Sequence, residues 1–247
     1  MVIRAFNGVY FGVMILTVLL IVAITKIFSK KDRKTKENVI LCISIANIVF
    51  FTVYKILLAV RTPGLPDTYS FDIWCELPIH LCNISLFLIP IGAKLKNDMI
   101  MSYGFFITPL GAFFAMTFPC AGFGNLNIFY LHMIGFYGTH LILIVMGILL
   151  VTLGLYEPSF KKLPKMFAFI AVLSAVIFGV NVLLRSVTPS PVNYFYTCEP
   201  EGISILEFFW SIIPVPYIYL RFALLILLVY ASIIITPFHI IRKKRKS

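Results

Sequence analysis

Residues 74–90, WCELPIHLCNISLFLIP, place Glu76, His80, Cys82 and Asn83 at the entrance of an otherwise apolar stretch. Ionisable groups are costly in hydrocarbon, so at such a place they mark a candidate site. Whether this stretch is membrane-embedded decides the fold.

The composition of the whole chain answers that question. Of 247 residues, 60% are hydrophobic and only 13% charged, and the mean hydropathy is +0.98. A soluble domain does not have this composition. Apolar runs of about 20 residues, the length that spans a bilayer, recur along the chain with short polar gaps between them. The expectation is an all-α polytopic membrane protein, a single domain over residues 1–247 with seven transmembrane helices. By the same hydropathy criterion the spans fall at about 5–25, 39–60, 77–93, 99–118, 128–155, 166–184 and 215–241. The first lacks a small-residue cleavage site and reads as an uncleaved helix. The third is short, and the fifth is long enough to tilt or protrude.

The net charge of +11 does not point to nucleic acid, because no basic groove is interleaved with aromatic residues. The basic residues cluster beside the apolar runs instead, as a positive-inside bias places them. All but five of the 21 Lys and Arg fall after spans one, three and five and in the C-terminal tail. The exceptions are Arg4, Arg61 and Arg185 on the opposite side, with Lys55 and Arg221 inside spans. The bias puts the N-terminus outside and the C-terminus in the cytoplasm.

Trp74, Trp210, Tyr69, Tyr194, Tyr196 and Tyr217 then fall on the outer side, where an aromatic belt belongs. In the outer loop from Ser186 to Pro214, Ser204 and Glu207 have the spacing of a capping box. An interfacial helix over about 204–213 is expected there.

Polar residues converge on this outer half. In span three, Glu76, His80 and Asn83 share a face at i, i+4, i+7 if the helix already includes Glu76. Alternatively Pro78 opens the helix, and Glu76 lies just outside it, favoured by the helix dipole. His80 and Cys82 are two apart, about 200° round a helix, so the pair is not a dyad. His140 lies about 18 Å into span five, beyond the reach of snorkelling, and needs a partner or a polar cavity. His132 lies eight residues earlier, near the surface. Asn181 and Arg185 share a face at the end of span six, and Asn193 and Tyr194 follow in the loop. Lys55 can snorkel to the surface, whereas Arg221 suits an anion or carboxylate.

The five cysteines match no zinc pattern. Cys75, Cys120 and Cys198 share the outer side, which leaves one disulfide among them open.

LPIHLCNISLFLIP at 77–90, GTH at 138–140 and GVNVLLRSVTPSPVNYFY at 179–196, with Glu207 and the run Pro214–Tyr217, resemble the YwaF-like family of bacterial integral membrane proteins. The resemblance covers most of the chain from Trp74 onward. It departs at Asn83, where such families often carry Asp. It implies a multi-pass protein of the bacterial cell membrane. A similar eukaryotic branch is implicated in phospholipid acyl transfer through a cysteine, which makes Cys82 the candidate nucleophile by analogy.

The leading expectation is therefore a phospholipid acyltransferase acting on phospholipid and lysophospholipid, without cofactor or metal. Cys82 would be its nucleophile and His140 or His132 its base, with His80 beside them. Asn83 or Asn181 would donate to an oxyanion, and Arg185 or Arg221 would hold phosphate. Glu76 and Tyr194 complete the candidate substrate-binding set. The rival is a non-enzymatic binder or transporter of an anionic lipid or solute. A metal-dependent hydrolase using Glu76, His80 and His140 is a third reading.

Overall fold

The computed structural model describes residues 1–60, 71–119 and 126–244, and among these the regular structure is helical apart from one bridge between Val2 and Asn127. The helices are α1 (Gly8–Phe28), α2 (Arg33–Val60), α3 (Leu81–Leu95), α4 (Asp98–Thr117), α5 (Leu131–Thr152), α6 (Leu163–Val187), α7 (Ser204–Ile212) and α8 (Arg221–Lys244). Six are long and apolar enough to cross a membrane: α1, α2, α4, α5, α6 and α8. With 15 residues, α3 reaches about 22 Å, short of a hydrocarbon core of about 30 Å.

Helix α5 is the centre of the bundle and packs against α1, α2, α3 and α4. Its direction matches that of α1: Ile3 N–H donates to Leu126 O at 3.0 Å at one end, and the Thr25 and Thr152 hydroxyls meet at 2.8 Å at the other. Most of α1 is exposed, which suits a helix facing lipid. Helix α5 spans 22 residues rather than the longer run expected from hydropathy. Leu126–Tyr130 turns before it, and Gly154 stops it with φ +73°. There Leu155 N–H reaches back to Leu150 O and Gly154 N–H to Val151 O, the Schellman closure that glycine permits.

Two further expectations are corrected. Helix α3 begins at Leu81, not Leu77, with His80 as its N-cap. Pro78 has no N–H to give, and Ile79 N–H closes a tight turn onto Leu77 O at 2.7 Å. Residues 72–76 form a separate turn, with Cys75 and Glu76 N–H donating to Asp72 O. Glu76 therefore does not share a helix face with His80 and Asn83. Helix α7 does stand in the loop, but without the capping box: its N-cap is Ile203, and Glu207 accepts from Gly202 N–H at 3.0 Å. Arg61, Tyr69 and Cys120 lie outside the described residues.

One end of the bundle is tied by charge. Lys162 pairs with Asp98 at 2.8 Å, and Arg242 with Glu157. The other end gathers the start of α3, the end of α2 and the 186–220 loop, and there the candidate site lies.

Helices α4 and α5 approach closely at Gly147. A Cβ on it would stand 2.5 Å from Pro109 Cγ and 2.6 Å from Gly104 O. Both neighbours belong to the stiff interior of α4, so neither side can yield cheaply. Gly147→Ala is expected to destabilise the bundle by about 1–3 kcal/mol, read as a lower thermal unfolding midpoint in detergent.

Candidate functional site

A cavity of about 620 Å³ opens at the start of α3, walled by α2, α3, α4, α5, α6, α8 and the 186–220 loop. It exists because α3 starts late. Where a full-length helix would fill the bundle, residues 71–80 run as irregular chain. Such backbone persists at membrane depth only when protein or an aqueous cavity satisfies it.

Beyond the local turns, a tyrosine from the 186–220 loop satisfies this segment. Tyr194 is 1% exposed, its hydroxyl donates to Trp74 O, and it accepts from Leu77 N–H at 3.1 Å. Asn181 fixes Tyr194 in turn. Its carbonyl accepts from Tyr194 N–H at 3.0 Å, and its amide donates to Tyr194 O at 2.8 Å and to Thr197 Oγ1 at 2.7 Å. Arg185 donates to Val192 O at 2.6 Å and pairs with Glu199 at 2.5 Å. Asn193 donates to Glu199 O and Glu201, each at 2.8 Å. The sequence suggested a phosphate-binding role for Arg185, substrate contact for Tyr194 and oxyanion donation for Asn181. In the fold all three clasp the loop, and none of them lines the cavity.

Glu76, His80, Cys82, Asn83, His140 and Arg221 do line it. Glu76 pairs with Lys55 of α2. The Lys55 ammonium also lies over the rings of Phe51 and Tyr54, at 5.5 and 5.1 Å. Lys55 does not snorkel: it holds the 71–80 segment to α2. His80 sets its ring edge against Tyr194, with centroids 4.9 Å apart. His132, 1% exposed, is buried in the first turn of α5 away from the cavity wall.

His140 has a defined tautomer. Its Nδ1 lies 2.7 Å from Phe136 O, so Nδ1 carries the proton and donates it to that carbonyl. Nε2 then carries the ring's free lone pair. Cys82 occupies the first turn of α3, close against Gly111 of α4: a Cβ there would stand 3.6 Å from Sγ. Among the described residues no histidine makes a hydrogen bond to Cys82. Beneath it Tyr103 and Ser85 both donate to Leu81 O, at 2.8 and 2.9 Å, and Thr108 donates to Ser85 Oγ at 2.8 Å.

This geometry meets an independent finding. The family model of the TMEM164 family matches residues 6–234, nearly the whole chain. The chain belongs to the TMEM164 family. No curated protein and no solved structure matches it significantly.

Of the other candidate groups in this TMEM164-family chain, Cys75 and Cys198 are free thiols, and Cys120 lies outside the described residues. Burial, with the Asp72 carboxylate beside it, pushes the Cys75 thiol up to about 11. It stays protonated at neutral pH and is a poor nucleophile. Burial likewise raises the Glu201 carboxyl. Glu76, His80 and His140 are not grouped as metal donors among the described residues, and Glu76 is engaged by Lys55.

The sequence reading missed the Lys55–Glu76 pair and the Tyr103–Ser85–Thr108 network. Partners 21 residues apart across a non-helical segment leave no spacing signal, and hydroxyls in apolar helices look like ordinary filler.

If the Asn181 clasp holds the loop, Asn181→Leu strands Tyr194 N–H and C=O without partners. The expected loss is about 1–3 kcal/mol, with amide exchange at Tyr194–Cys198 accelerated well before global unfolding. Unchanged protection of those amides would disprove the clasp.

Proposed function

We propose that this TMEM164-family protein transfers acyl chains between phospholipid and lysophospholipid at the α3 cavity, with Cys82 as nucleophile and His140 as base. The observation that carries the reading is that Cys82 and His140 line one cavity while the Nδ1 bond to Phe136 leaves Nε2 free to accept a proton. His132 lacks a place on the cavity wall, so His140 is the preferred base. The cavity is walled largely by apolar side chains such as Phe114, Leu206 and Leu224, which suit an acyl chain.

The chemistry proceeds in two halves. Nε2 of His140 takes the Cys82 thiol proton as sulfur attacks the ester carbonyl carbon, whose π pair moves onto oxygen. Collapse restores the carbonyl and breaks the bond to the lysophospholipid oxygen, which leaves with the proton from His140. The acyl chain is then a thioester on Cys82. A second lysophospholipid hydroxyl, deprotonated by His140, attacks that thioester, and the proton returns to the sulfur. Arg221 lines the cavity and makes no hydrogen bond or ion pair with the described residues, which suits it to the lipid phosphate.

We further propose seven crossings, with α3 as the seventh, the N-terminus outside and the C-terminus in the cytoplasm of a bacterial cell. Lys94, Lys96, Lys162 and Arg242 gather at the end carrying Asp98 and Glu157, in keeping with a cytoplasmic face. A reporter active only in the cytoplasm, fused after Ser247, is expected to be active; a silent fusion would reverse the orientation.

For the reaction, purified protein in liposomes should move a labelled acyl chain from phospholipid to lysophospholipid. A thioester adduct on the Cys82 peptide should be visible by mass spectrometry. Cys82→Ala and His140→Gln should each reduce transfer at least 10²-fold while the unfolding midpoint holds. The free Arg221 cation also favours a second reading, a non-enzymatic binder or transporter of an anionic lipid or solute. That reading wins if no turnover appears and Arg221→Ala weakens retention of an anionic lipid.

A further inference from the structure

Helix α3 begins without a cap. His80 is its N-cap but makes no side-chain capping bond, and the first N–H bonded back to it is that of Ile84, at 3.0 Å to His80 O. Among the described residues, the N–H groups of Leu81, Cys82 and Asn83 have no acceptor. Orphan donors at a helix start are ordinarily taken by a capping side chain or by water. Here every residue from His80 to Asn83 lines the cavity, so the open turn lies on its wall.

A second, independent feature points to a ligand at the same place. His140 is 9% exposed, its Nδ1 is spent on Phe136 O, and its Nε2 has no partner among the described residues. His140 also lines the cavity, so a nine-tenths buried imidazole on its wall carries an acceptor suited to a donor from a bound group. The start of α3 meanwhile requires something that accepts. A reacting ester beside a thiol supplies both.

The turn is also held in shape before anything binds. Tyr103 Oη and Ser85 Oγ converge on Leu81 O from below. Both hydroxyls are buried, and Thr108 anchors Ser85. Donors that need no reorganisation as charge develops are what makes an oxyanion site effective.

We infer that the open first turn of α3 is the oxyanion site of this cavity, with the backbone N–H groups of Cys82 and Asn83 receiving the carbonyl oxygen of a lipid ester as sulfur adds to its carbon. The inference rests on the acyl-transfer reading and deepens it. The negative charge of the tetrahedral intermediate sits on that oxygen, at the positive end of the helix. When the C–O bond to the lysophospholipid breaks, the charge returns into the carbonyl and the proton leaves from His140. Tyr103 acts as a positioning residue, through the Leu81 carbonyl.

Replacing Asn83 in the full-length protein by its α-hydroxy analogue, through nonsense suppression, keeps the side chain and converts one N–H into an ester oxygen. The same exchange at Ile84 removes an N–H that belongs to the helix ladder and serves as control. In liposomes of phosphatidylcholine, the single-turnover rate of Cys82 thioester formation should fall 10²–10³-fold for the ester at 83, at unchanged half-saturating lipid. The ester at 84 should stay within a few-fold of the natural protein. Tyr103→Phe should lower the same rate without altering half-saturation. Equal rates for the two esters would overturn the oxyanion assignment while leaving acyl transfer intact. Absence of any thioester on the natural protein would instead bring down the acyl-transfer reading, and this inference with it.

Discussion

Irregular backbone inside an apolar bundle has to find hydrogen-bond partners within the protein, because hydrocarbon offers none. Residues 71–80 are such backbone, and a short chain of bonds satisfies them: Asn181 grips Tyr194 at both its N–H and its C=O, and the Tyr194 hydroxyl bridges Trp74 and Leu77. Break that chain and the start of α3 loses its tie to α6 and the 186–220 loop. The cavity, the exposed first turn and the packing of His80 against Tyr194 all follow from it.

Charge supports the same segment from the opposite wall. The Lys55–Glu76 pair is largely buried, with side chains 17% and 16% exposed. A pair in this setting adds little net stability, but removing one partner leaves an uncompensated charge at a cost of about 3–5 kcal/mol. The pair therefore acts as a positional constraint. It ties the segment before α3 to the last turns of α2. Bond by bond, the polar side chains of this region divide into two groups. Asn181, Arg185, Asn193 and Tyr194 hydrogen-bond within the loop and its supports, whereas Cys82, Asn83, His140 and Arg221 line the cavity.

That division was invisible in the residue pattern. Asn181 and Arg185 sit at helical spacing beside a conspicuously polar loop and read as ligand-binding groups. Only the folded loop, turning back through Phe195 and Tyr196 at positive φ, reveals that it consumes them. Lys55 read as a snorkelling residue because its partner is supplied by a segment that hydropathy assigns to a loop. His140 was legible for a physical reason: an imidazole about 18 Å into a span is beyond snorkelling and must be satisfied or exposed to a cavity.

What the sequence determined by itself is what hydrophobicity and sterics impose locally. Apolar runs of membrane length dictate α1, α2, α4, α5, α6 and α8, and the uneven distribution of Lys and Arg between the two sides sets the expected polarity of the bundle. Such signals are carried by neighbouring residues and need no distant partner. Tertiary structure decided where α3 begins, which polar groups face the cavity, and which histidine has a free acceptor. Each of those depends on a hydrogen bond or ion pair between residues far apart in the chain, and its free energy exists only once the helices have packed.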